Sequence, residues 1–106
     1  MALPEPREII WLLKAEVDFQ EIYNRIDRYS PERAENFYSS VNEALDQVAE
    51  FPESGHAYAI PIRRMLALKG RYGVFYRSES RGIVVLGIED LRQLPSRIRR
   101  NLGIED

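Results

Sequence analysis

A two-layer α+β domain, with a helical hairpin packed on one face of a small, mainly antiparallel sheet, is predicted for this chain of 106 residues. Three observations predict it. Apolar residues recur at three- and four-residue steps through two stretches of the first half, Ala15 to Tyr29 and Ala34 to Val48. After Gly55 come three strand-length apolar runs separated by turn residues. Charge divides along nearly the same boundary: residues 1–60 hold 5 Lys+Arg against 12 Asp+Glu, whereas residues 61–103 hold 10 against 3. Helices of one sign backing a sheet of the other accommodate all three in one domain spanning residues 1–106.

The elements follow in the order β-α-α-β-β-β-(α). Glu8-Ile9-Ile10-Trp11-Leu12-Leu13 is apolar and β-branched and reads as a first strand. From about Ala15 the period lengthens: Ala15, Phe19, Ile22, Tyr23, Ile26 and Tyr29 form a stripe, with Glu16, Asp18, Glu21 and Arg25 on the solvent side. Ser30-Pro31 starts a second helix, Ser30 as N-cap and Pro31 at the first position, where its missing donor costs nothing. That helix has the stripe Ala34, Phe37, Val41, Ala44, Leu45 and Val48, and it ends at Phe51-Pro52 because proline disfavours α conformation in the residue before it. Ile62 to Leu68, Tyr72 to Tyr76 and Ile83 to Ile88 read as an antiparallel meander. The last of these is apolar on both faces and belongs inside the sheet. Pro95 to Leu102 reads as a short basic helix with few anchors, Leu94, Ile98 and Leu102, and is expected to dock weakly. The sheet face away from the helices is expected to be open.

Composition excludes several classes. With 44% hydrophobic and 30% charged residues the chain has the balance of a soluble globular protein, and no run approaches the ~20 apolar residues a membrane span needs. Cysteine is absent, so disulfides and thiolate metal sites are excluded. Met1 to Pro6 lacks the basic and apolar regions of a secretory signal, which makes a cytoplasmic location the expectation. No glycine-rich phosphate loop, metal-ligand spacing or Ser/His/Asp arrangement is present, and no cofactor or metal is expected.

The basic half points to an anionic partner. Arg63, Arg64, Lys69, Arg71, Arg77 and Arg92 are candidate phosphate or carboxylate ligands on the sheet and its edge, and Arg97, Arg99 and Arg100 lie on the final segment. Alternation sends Arg63 and Arg64 to opposite faces and Tyr72 and Tyr76 to the same one. A tyrosine needs a strongly cationic setting to act as a base, its pKa being ~10; the simpler role for both is packing. His56, the one histidine, falls in the expected loop after the second helix, away from these groups.

Several short motifs, Ser30-Pro31-Glu32-Arg33-Ala34, Phe51-Pro52-Glu53-Ser54-Gly55, Arg63-Arg64, Gly70-Arg71-Tyr72 and Phe75-Tyr76-Arg77, occur in an order and spacing that resembles the RelE/ParE toxins of bacterial type II toxin-antitoxin systems. The resemblance runs from about Ile9 to Leu102 and implies the fold derived above. It also implies one of two activities, between which fold alone cannot choose. RelE-like members cleave messenger RNA on the ribosome; in this sequence Arg71 and Arg92 would then hold phosphate and Tyr72 or Tyr76 would transfer the proton. ParE-like members inhibit DNA gyrase and need no catalytic residues. Gly73 stands where nuclease members commonly place an arginine, Glu89-Asp90 put carboxylates at the end of the last strand, and no tyrosine or histidine follows in Arg97 to Leu102. These departures favour the ParE-like reading. A further alternative is an inactive homologue that only binds its antitoxin. The implied partner is a cognate acidic antitoxin, in a hetero-oligomer or on a toxin dimer; Arg63, Arg64, Lys69, Arg71, Tyr72, Arg77 and Arg92 would bind the target or the antitoxin, and Arg97, Arg99 and Arg100 would form a target-contacting segment.

Overall fold

The elements found are β1 (Ile9–Trp11), α1 (Leu13–Asp27), α2 (Pro31–Glu50), β2 (His56–Ala59), β3 (Ile62–Ala67), β4 (Tyr72–Glu79), β5 (Gly82–Asp90) and α3 (Pro95–Asn101). They are seen in a computed structural model that describes residues 5–104. The sheet order is β1-β5-β4-β3-β2. The predicted antiparallel meander is β3-β4-β5, and β1 adds to β5 in parallel, with Ile9 opposite Ile83. Gly82 to Glu89 are all buried, as expected of a strand apolar on both faces and flanked on both sides.

The hairpin forms where its caps predict. Ser30 Oγ accepts from the Arg33 N–H at 3.2 Å and Pro31 opens α2. The stripe of α2 from Ala34 to Val48 is buried against the sheet. Phe37 is its centre, with ring centroids 5.3 Å from Phe19 of α1 and 5.1 Å from Tyr72 of β4. Trp11 meets Phe19 edge-on at 5.9 Å and so belongs to this core.

Four expectations need correction. Tyr29 lies beyond the last residue of α1, off the apolar stripe, and is 87% exposed. A fifth strand, β2, lies where a loop was expected and places His56 in the sheet opposite Arg64. His56-Ala57-Tyr58-Ala59 lacks a β-branched run, and its conformation comes from pairing with β3. Asp18 is not solvated: its carboxylate accepts from the Ile88 N–H at 3.0 Å and pairs with Lys14, occupying the edge of β5 where β1 has ended. The sheet face away from the hairpin is not wholly open either, for Phe75 and Val84 are fully buried and Tyr58 stacks edge-on against Phe75 at 5.0 Å. As expected, α3 docks through few groups: Ile98 is buried, Asn101 Nδ2 donates to Glu89 Oε1 at 2.7 Å, and Leu94 is exposed.

Candidate functional site

The cations converge on β3, β4 and the end of β5, where register decides what each can do. Arg63 faces Tyr76 and Arg64 faces Phe75, so the two do point to opposite faces. Arg63 Nη1 donates to the Gly55 carbonyl at 3.0 Å and thereby pins the segment after α2. Arg64 lies across Gly73. A Cβ on Gly73 would sit 3.0 Å from Arg64 Cγ and 2.9 Å from the Phe75 ring, so a side chain there would compete with Arg64 for one space. The Nε of Arg64 is buried without a hydrogen-bond partner among the described residues.

Both tyrosines proposed for proton transfer are committed to the fold. Tyr72 is 2% exposed with its ring against Phe37. Tyr76 is fully buried; its hydroxyl donates to the Pro52 carbonyl at 2.8 Å and accepts from the Gly55 N–H at 2.9 Å. Burial pushes the Tyr76 pKa above its ordinary value, against the donation from Gly55 and the Arg63 charge. The phenolate a base requires is therefore disfavoured where Tyr76 stands.

The phosphate-holding pair is also engaged. Asp90, which the register sets beside Tyr72, takes Arg92 on both carboxylate oxygens at 3.2 and 3.1 Å and Arg71 at 3.5 Å. Arg77 is paired with Glu79, which Arg81 also approaches at 3.4 Å. Burial alone would raise the Asp90 pKa, but the hydrogen bonds from the Arg92 side chain and N–H, with the Arg71 charge, hold it below the ordinary value. A depressed folded pKa contributes stability that is present above the unfolded pKa and is lost as pH falls through the folded one. Denaturant midpoints should therefore fall below about pH 4 by a smaller amount in Asp90→Asn than in the unaltered chain. Equal falls in both would contradict the assignment.

Glu89 is 4% exposed and receives Lys14 at 2.9 Å, Gln93 at 3.2 Å and Asn101 at 2.7 Å. This cluster ties α1, β5 and α3 together. Arg97 and Arg100 lie on the exposed side of α3, and Arg99 is half-buried. Among the described residues no group of three or more His, Cys, Asp or Glu is placed to hold a metal. Nor is any helix there long and apolar enough to cross a membrane.

Residues 9–95 match the family profile described as the ParE toxin of the type II toxin-antitoxin system parDE. The chain belongs to the ParE toxin family. A solved structure titled "Chromosomal ParDE TA system from P. aeruginosa" superposes with a TM-score of 0.66 at 18% identity, over 79% of this chain and 95% of that one. At that identity the likeness concerns the fold, which is thus a ParE fold with the predicted layers. No curated protein sequence matches significantly.

In this ParE-family chain the sequence reading missed a second group of cations. Arg25 and Arg33, assigned there to a helix face and a helix start, border a cavity with Lys69 and Arg71 at the tip of the hairpin. The charge split concealed them, because both belong to the acidic half.

Proposed function

We propose that this chain is a toxin that binds and inhibits DNA gyrase and is neutralised by a cognate acidic antitoxin. The observation that carries the choice of target is the engagement of Tyr76: its hydroxyl is shared between Pro52 and Gly55 in the core. The Asp90 carboxylate between Arg71 and Arg92 adds to it, because an anion already occupies the place a scissile phosphate would need. Inhibition by binding requires none of these groups to react. The exposed arginines of α3 are the target-contacting surface in this reading, and the remaining positive charge of the sheet favours an acidic antitoxin segment.

Two reactions test it side by side. The purified chain added to gyrase and relaxed plasmid should block supercoiling, while messenger RNA in a translating extract should stay intact. Cleaved message with normal supercoiling would overturn the gyrase reading in favour of the nuclease. Normal outcomes in both would point to the inactive homologue. Expression beside its chromosomal neighbours tests the partner, since a small acidic protein should copurify and restore growth.

A further inference from the structure

Where the hairpin tip overhangs the turn between β3 and β4 there is a cavity of about 540 Å³, inside the range of ~300–1,000 Å³ typical of small-molecule sites. Arg25 of α1, Arg33 of α2, and Lys69 and Arg71 of the turn border it, and no carboxylate lines it. Arg25, Arg33 and Lys69 form no ion pair among the described residues. Gathering unpaired cations from three elements costs self-repulsion, which a bound anion would relieve. Apart from Asn36, the rest of the lining is apolar or aromatic: Ile26 and Leu68, the buried Tyr72, and Tyr29, a residue 87% exposed at the rim.

The turn itself is held in an unfavourable shape. Leu68 and Lys69 have φ of +51° and +55°, ahead of Gly70 at +84°. Residues with a Cβ rarely adopt that region because the Cβ crowds the following carbonyl oxygen, and such strain clusters at ligand clamps. The Leu68 N–H donates to the Ser40 hydroxyl of α2, which fixes the turn against the hairpin. In this conformation Leu68 and Lys69 both line the cavity.

We propose that the cavity at the hairpin tip binds a nucleotide, its phosphates between Arg25, Arg33 and Lys69 and its base against the Tyr29 ring. A lone inorganic anion would leave the apolar lining unused and most of the volume unfilled. An acidic peptide spreads its charges along an extended chain, whereas these cations converge on one place. A planar base with clustered phosphates satisfies both halves of the lining, by stacking and by charge-assisted hydrogen bonds. The amide of Asn36, also in the lining, suits a base edge or sugar hydroxyl. The same chemistry is carried by a free nucleotide and by the end of a single strand.

Calorimetric titration of the full chain with ATP, inorganic tripolyphosphate, a short single-stranded oligonucleotide and an oligoglutamate peptide tests the site. ATP should bind saturably and more tightly than tripolyphosphate. Arg33→Glu and Lys69→Glu should each weaken ATP roughly tenfold. Arg81→Glu, an equal charge change in the β4–β5 turn, should not. Tyr29→Ala should bring ATP down to the affinity of tripolyphosphate. All four positions are exposed, and an unchanged thermal midpoint shows that each variant folds. Tighter binding of the oligonucleotide than of ATP upholds the site and assigns it to a nucleic-acid strand; the reverse assigns it to free nucleotide. The proposal is overturned by no saturable ATP binding below about 1 mM, by equal affinity for ATP and tripolyphosphate, by preference for oligoglutamate, or by equal loss in Arg81→Glu. Gyrase is absent from these titrations, so their failure leaves the toxin reading standing.

Discussion

Phe37→Ala is expected to lower the unfolding free energy by ~3–5 kcal/mol. Phe37 has no exposed surface and stands where three elements meet, with Phe19 of α1 on one side and Tyr72 of β4 on the other. Removing the ring takes out the transfer term and leaves a cavity between two aromatic neighbours, which cannot easily close it because each is fixed by other contacts. Tyr72 also carries the Arg71 guanidinium, 5.5 Å from its centroid, so loosening its ring should disturb the turn above it. Urea unfolding followed by the Trp11 signal would read the loss. A change below about 1 kcal/mol would mean that the hairpin and sheet are held together elsewhere.

Gly82→Ala is expected to cost about 3 kcal/mol, through strain and the loss of a backbone hydrogen bond. Gly82 has φ of +147°, and a Cβ there would collide with the Glu8 carbonyl oxygen. That same oxygen accepts the Ile83 N–H at 2.8 Å, the first bond joining the chain before β1 to β5. Because the obstacle is backbone, relief requires β1 to move away, and β1 has no other strand neighbour. Amide exchange should speed up selectively at Ile83 and at Leu12, whose N–H bonds the Val85 carbonyl, and leave the amides of β4 protected. Unchanged exchange at both positions would refute this account.

The hairpin was legible because its signals are local. Ser30 and Pro31 act within one turn, and the stripe from Ala34 to Val48 needs only a period. The meander was legible for the same reason. What could not be read depends on partners distant in the chain. β2 is a strand because β3 lies beside it, and Asp18 left the solvent because the β5 edge needed an acceptor. Alternation put Tyr72 and Tyr76 on one face, but only the hairpin lying over that face made it the inner one. Counting charges found the arginines; it could not show that Arg71 and Arg92 meet on Asp90, since Arg71 is 19 residues from it and the contact follows from strand register. The tip cavity joins residues from both halves of the chain, so dividing the sequence by charge hid it.

The carboxylate of Asp18 on the Ile88 amide has a colloidal consequence. Sheets polymerise side by side when each molecule offers two unoccupied edges. Here one flank consists of the three-residue β1 and then a stretch of β5 whose amide is already taken, which leaves β2 as the longer free flank. Two copies meeting through β2 would exhaust it on both, and only the three residues of β1 would be left on each for further pairing.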